Sequence, residues 1–327
     1  MDNMIKWGII GCGDVTEIKS GPAFSKIPGS TLIAVMRRNA KKAADYALRH
    51  GVDRWYADAN ELMNDPEINA VYIATPPAFH LPYALSALKR GLNVYVEKPV
   101  TLNSSEARQM ADAVVQGDAK LTVAHYRRRL PLFLKIKLLI DSGIAGEIRT
   151  VQIRLWQSRS AGLVAKTKDN WRLKPELSGG GYFHDLAPHQ LDLMLFYFGT
   201  PVSYSGYSMN QSGQSGADDH VSGELLFDNN IVVSGSWCFN VAEHLQTDTC
   251  EIIGSEGAIF FSFFGDYVTV KDKYGSETET FVHPLHIEQP MITDVVNYFN
   301  DQLPNPCSIQ EAVLLMDIID AFTSKKT

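Results

Sequence analysis

Short apolar runs alternate with segments of helical period through the first third of the chain, the pattern of β-α-β units wound around a parallel sheet. Candidate strands are Ile5 to Ile10, Thr31 to Met36, Ala70 to Ala74, Asn93 to Val96 and Leu121 to Ala124. They are apolar almost throughout, so both faces of their sheet need cover, as a doubly wound fold provides. Helical patterns fill 39 to 50, 58 to 64, 78 to 90 and 103 to 116. Asn39 and Asn103 are suited to cap two of these helices, and Gly51, Gly91 and Gly117 stand where helices should stop.

The rhythm changes near residue 123. A helical stretch, Leu130 to Asp141, leads through Gly143 and Gly146 into Ile148 to Trp156, whose strict alternation predicts a strand with one buried face. Further alternating runs occupy 201 to 208, 220 to 228, 231 to 239, 247 to 253, 257 to 263 and 266 to 272, separated by turn signals such as Asp228-Asn229-Asn230. That spacing predicts an antiparallel sheet, and helices at about 288 to 301 and 308 to 323 close the chain. The fold class is therefore α/β: a doubly wound parallel sheet over residues 1–124, then an α+β domain with a large open antiparallel sheet over 125–327. A wide sheet with one face uncovered commonly pairs with another subunit, so a homodimer or homotetramer through the C-terminal sheet is expected.

Composition narrows the partners. The 327 residues exceed one comfortable core and suit two domains, and a formal charge of −7 argues against nucleic acid or an anionic membrane surface. The basic run Arg127-Arg128-Arg129 is too short to alter that. The four cysteines show neither metal-ligand nor disulfide spacing, the N-terminus lacks signal-peptide character, and no apolar run reaches the length of a membrane span, so a cytoplasmic protein without a metal is expected.

Chemistry concentrates at strand ends and in one later segment. Gly11-Cys12-Gly13 follows the first strand, with Asp14 and Val15 opening the next helix, so a pyrophosphate could approach backbone N–H groups closely. Thr16 stands where the Gly-x-Gly-x-x-Gly pattern has its third glycine. The second strand ends in Arg37 and Arg38 rather than in an acid, which suits the 2′-phosphate of NADP better than the free ribose of NAD; the same pair could also be solvated loop arginines. Ala74-Thr75-Pro76-Pro77 with His80, and Glu97-Lys98-Pro99, lie beyond two other strands, at the edge where open α/β sheets bind ligands. Finally, Gly179-Gly180-Gly181 precedes Asp185, His189 and Asp192, whose i, i+4, i+7 spacing puts three polar groups on one side of a helix opposite Leu186, Leu193 and Phe196. A carboxylate four residues before an imidazole suits proton transfer, although an ordinary helix-surface pair has the same spacing. Pro188 interrupts this segment, so a helix should either begin near it or kink there.

Taken together and in this order, these motifs resemble the glucose-fructose oxidoreductase, inositol dehydrogenase and MocA (Gfo/Idh/MocA) family over nearly the whole chain. The resemblance implies an N-terminal Rossmann domain, a C-terminal α/β domain on an open sheet, and an NADP-dependent oxidoreductase, with NAD possible, acting on CH–OH groups of a sugar, polyol or related carbohydrate-like small molecule. In that family the lysine of Glu-Lys-Pro meets the downstream Asp and His at the nicotinamide. By resemblance, His189 is the general acid/base, Lys98 its electrostatic support, and Asp185 the group that binds or orients a substrate hydroxyl. Trp171-Arg172 resembles a pair that contacts the cofactor in NADPH-using relatives. The cofactor set is then Gly11, Gly13, Asp14, Val15, Arg37, Arg38, Ala74, Thr75, Pro76, His80, Glu97, Lys98, Trp171 and Arg172. Glycosidase-like members that use NAD without net redox change, and a nucleotide sensor without catalysis, are the alternatives.

Overall fold

The computed structural model describes residues 4–159, 162–163 and 170–324. The chain divides into two compact units, Met1–Tyr126 with Pro284–Met316, and Arg127–His283 with Asp317–Thr327.

In the first unit, six parallel strands form a sheet of order β3-β2-β1-β4-β5-β6. They are β1 (Ile5–Ile10), β2 (Ser30–Met36), β3 (Arg54–Tyr56), β4 (Ala70–Ile73), β5 (Asn93–Val96) and β6 (Leu121–Val123). The intervening helices are α1 (Asp14–Ile18), α2 (Ala40–His50), α3 (Ala59–Met63), α4 (His80–Lys89) and α5 (Ser104–Val115). Asn39 and Asn103 cap α2 and α5 by accepting from the N–H groups of Lys42 and Glu106, and Gly51 ends α2 in the left-handed region at φ 64°. The strand order reverses direction at β1 and β4, the switch point at which doubly wound sheets bind nucleotides.

In the second unit, α6 (Pro131–Asp141), α7 (Pro175–Ser178) and α8 (Tyr182–Phe198) accompany an eight-stranded sheet. Its strands are β7 (Ile148–Trp156), β8 (Pro201–Met209), β9 (His220–Phe227), β10 (Val232–Cys238), β11 (Thr247–Gly254), β12 (Gly257–Phe261), β13 (Tyr267–Asp272) and β14 (Gly275–Thr280). Their order is β14-β13-β12-β11-β7-β10-β9-β8; neighbours run antiparallel except β7 and β10, which pair in parallel. On β9, Val221, Leu225 and Phe227 are buried, whereas Leu226 on the opposite face is exposed. Helix α9 (Gln289–Phe299) follows this sheet in sequence yet belongs to the first unit. Among the described residues no helix is long and apolar enough to cross a membrane, and Cys12, Cys238, Cys250 and Cys307 are all buried.

Candidate active site

The first unit gathers its predicted residues along one sheet edge. Gly11 and Cys12 donate their N–H groups to Met36 O at 2.9 and 3.0 Å, Ala74 to Ile10 O at 2.9 Å, and Glu97 to Ile73 O at 2.9 Å, so the loops after β1, β2, β4 and β5 are tied side by side. Gly11 has φ +98°, and a Cβ there would lie 2.8 Å from Thr75 Cγ2 and 3.0 Å from the Ala74 carbonyl. Only glycine fits that turn. At Gly13, the N-cap of α1, a Cβ would meet nothing closer than Gly11 O at 3.8 Å, so the protein itself leaves that approach open. Asp14 and Val15 form the first turn of α1. Thr16 is fully buried and donates its hydroxyl to Gly13 O at 2.8 Å, which accounts for a threonine at the third position of the motif.

The arginines after β2 differ in their surroundings. Arg37 donates to Cys12 O at 3.2 Å and so lies against the glycine turn, whereas exposed Arg38 stacks 5.1 Å from the centroid of the Phe79 ring. Beyond β4, the Thr75 hydroxyl is buried and has no hydrogen-bond partner among the described residues. A cradle that only glycine permits, with an orphaned hydroxyl on its wall, fits a dinucleotide phosphate.

His80 serves the scaffold. It is completely buried, with Nδ1 3.0 and 3.2 Å from the carbonyls of Pro99 and Val100 and Nε2 2.7 Å from that of Thr75. It therefore packs between the Pro76 turn and the loop carrying Lys98 and the cis Lys98–Pro99 bond, and its neutral ring has one N–H to donate to one side. Burial lowers its pKa to about 4, against the pull of the three carbonyls. Glu97 is buried and accepts a 2.6 Å hydrogen bond from the Tyr72 hydroxyl and a 3.1 Å bond from the Lys98 N–H.

In the second unit, α8 runs unbroken from Tyr182 through Pro188, which lies inside it rather than at its start. Pro188 offers no N–H to the carbonyl of His184, four residues back, but the helix is held by burial along nearly its whole length. The close approach of Gly180 explains that glycine: a Cβ would sit 2.2 Å from the His184 ring. His184 is buried, and desolvation lowers its pKa to about 4.

The three polar residues of α8 do not share one open face. Asp192 is buried in an ion pair with Arg128, whose Nε lies 2.9 and 3.1 Å from the two carboxylate oxygens and whose second nitrogen lies 2.8 Å away. Both side chains are 3% exposed, so Asp192 is held in a buried ion pair. Asp185 instead accepts a 2.7 Å hydrogen bond from Arg172 Nε, with the two side chains 13% and 10% exposed. Arg172 in turn lies over the Trp171 ring, 4.6 Å from its centroid. The sequence motif Trp171-Arg172 and the helix residue Asp185 are thus one cluster. His189 is buried, with its ring edge-on to Phe264 at 6.0 Å between centroids. Arg128 enters the sequence reading only as part of a basic run, because its partner Asp192 is 64 residues away in the chain.

The six-stranded Rossmann unit with its glycine-lined turn is the architecture of a dinucleotide-binding protein, and the second unit carries Asp185, paired with Arg172, and His189 on α8. The chain belongs to the Gfo/Idh/MocA family: residues 5–125 match the oxidoreductase family's NAD-binding Rossmann fold and 133–260 the family's C-terminal domain. It is 50% identical over 322 residues to Oxidoreductase P35 of Formosa agariphila, covering 98% of this chain and 99% of that one. With 1,5-anhydro-D-fructose reductase of Ensifer adhaerens it shares 26% identity over 78% of this chain and 75% of the relative. The fold is shared with levoglucosan dehydrogenase, solved in complex with NADH, at a TM-score of 0.86 and 22% identity over 97% of this chain and 95% of the other.

Proposed function

We propose that this oxidoreductase is NADP-dependent and reduces or oxidises a sugar, polyol or related cyclic hydroxy/keto compound. The observation that carries the cofactor preference is the loop after β2, where Arg37 and Arg38 stand and no acid accepts a ribose 2′-hydroxyl. Arg37 is braced on the nucleotide turn, and Arg38 is exposed beside Phe79, so both supply positive charge for a 2′-phosphate. The relatives support the substrate class, since they include a 1,5-anhydro-D-fructose reductase and a levoglucosan dehydrogenase.

When bound, the nicotinamide supplies or accepts the hydride; the protein must handle the proton on the reacting oxygen. We assign that proton to His189, whose imidazole can accept it during oxidation and return it during reduction. Lys98 is assigned to stabilise negative charge on the same oxygen. Asp185, oriented by Arg172, is assigned to accept a hydrogen bond from a substrate hydroxyl, as a charge-anchored carboxylate does well. The exposed Tyr207, Met209 and Leu226 lie on one face of the eight-stranded sheet, and we assign this face to pairing with another copy of the chain.

Fluorescence titration with NADPH and NADH tests the cofactor assignment, followed by a panel of carbonyl sugars with the better cofactor. Tighter NADPH binding, lost on substituting Arg37 and Arg38 together by alanine, is expected; tighter NADH binding overturns the role of both arginines. Lys98→Ala and His189→Ala should each lower turnover at least 100-fold, within the range general acid–base groups contribute.

A further inference from the structure

We propose that Glu288 is a positioning residue for Lys98: it shares a buried pocket and the Tyr72 hydroxyl with Glu97, and so ties the corner that carries Lys98 to the far end of helix α1. All the residues concerned belong to the first unit. The inference rests on the assignment of Lys98 as a catalytic group.

The two carboxyl groups occupy one buried pocket, Glu97 being 7% and Glu288 1% exposed. A single hydroxyl stands between them, with Tyr72 Oη 2.6 Å from Glu97 Oε1 and 3.4 Å from Glu288 Oε2. Tyr95, stacked on Tyr72, places its hydroxyl 3.5 Å from the same Glu288 oxygen. Two carboxyl groups that share one hydroxyl in a buried pocket resist ionising together, since burial and like charge both raise the cost of the second negative charge. Burial and the facing Glu97 charge hold the Glu288 proton well above the usual carboxylate range, although Lys19 and Lys98 pull the other way. The pair therefore carries one negative charge.

That charge is spent on the Lys98 corner. Glu97 Oε2 accepts the Lys98 N–H at 3.1 Å while its Oε1 accepts Tyr72, so both oxygens of the carboxylate are fixed. On the other side, the segment bearing Glu288 closes the end of α1. Glu288 donates its N–H to Lys19 O at 3.2 Å, and His286 Nδ1 donates to Ile18 O at 2.6 Å, with Lys26 donating to His286 Nε2 at 2.6 Å. Residues 286–288 thus join the carbonyl end of the helix that opens at Gly13 to the peptide that carries Lys98. A doubly ionised pair would repel itself apart and put an extra negative charge beside Lys98.

Two measurements on the purified full-length protein test this without a substrate. Infrared spectra at neutral pH should contain a deuterium-sensitive carbonyl stretch of a protonated carboxylic acid that is missing from Glu288→Gln. Amide hydrogen exchange at Lys98 should be unchanged in Glu288→Gln, which keeps a neutral donor, and at least tenfold faster in Glu288→Leu, which does not. Identical infrared spectra for wild type and Glu288→Gln overturn the proposal, as does unchanged Lys98 exchange in Glu288→Leu. Turnover of Lys98→Ala is read separately. If it matched wild type, the catalytic assignment of Lys98 would fall while the shared proton stood.

Discussion

Two Arg–Asp pairs touch helix α8, and their different burial predicts opposite phenotypes for the same substitution. Asp192→Asn takes a carboxylate charge away from the Arg128 guanidinium at a site where both side chains are 3% exposed. Removing one partner of such a pair costs about 3–5 kcal/mol, because the surviving charge stays desolvated. For a domain of this size each kcal/mol lowers Tm by roughly 2–4 °C, so the midpoint should fall by about 6–20 °C. Asp185→Asn removes a partner from Arg172, held by a 2.7 Å bond, but these side chains are 13% and 10% exposed. With more of both side chains exposed than in the Arg128–Asp192 pair, the cost should be smaller, below about 2 kcal/mol. Urea unfolding of both variants, followed by kcat and KM, separates them. Asp192→Asn should be unstable, with near-normal kcat in the fraction that remains folded; Asp185→Asn should be stable and at least tenfold impaired in kcat/KM. If Asp192→Asn lost less than about 1 kcal/mol, or less than Asp185→Asn, the division into a packing pair and a site pair would be wrong.

Three further outcomes are expected. Gly11→Ala forces a β-carbon into Thr75 and Ala74 at φ +98° and should weaken NADPH binding at least tenfold, as read by fluorescence titration; unchanged affinity would place the phosphates elsewhere. His184, held neutral by burial with a folded pKa near 4, takes up its proton in the unfolded chain below about 6.5. Its contribution to stability is present above that unfolded value and is lost as pH falls toward 4, by up to about 3 kcal/mol. Urea unfolding across this window should therefore be less steep in pH for His184→Phe than for wild type, and equal slopes would contradict the burial argument. Tyr207→Asp, on the exposed sheet face, should shift the mass measured by light scattering toward the monomer; a wild-type monomer would remove the pairing face altogether.

Much of the fold was legible because local periodicity carries it. β1, β5 and β7 have the bounds the apolar pattern predicts, and Asn39, Asn103 and Gly51 act as the caps their side chains or backbone freedom suggest. β14 was not legible: all six of its residues are exposed, so the edge strand Gly275–Thr280 has no buried face and no alternation to detect. The parallel pairing of β7 with β10 was equally hidden, since pairing direction depends on chain topology rather than on either strand's own pattern. In the site, strand-end motifs predicted where the nucleotide turn and Lys98 would lie along the sheet edge. The spacing of α8 gave no sign of the ion pair made by Asp192, whose partner Arg128 is 64 residues distant in sequence. Glu288 gave no local sign for the same reason, as Tyr72 lies 216 residues away.

The most direct test of the proposed reaction is the stoichiometry of nicotinamide consumption against product, measured with the preferred reduced cofactor and a carbonyl sugar that the enzyme accepts. One NADPH oxidised for each hydroxyl formed, with the yield abolished in His189→Ala, is the predicted result. Product released with no net change in the nicotinamide would contradict net hydride transfer and assign the cofactor to a transient oxidation instead.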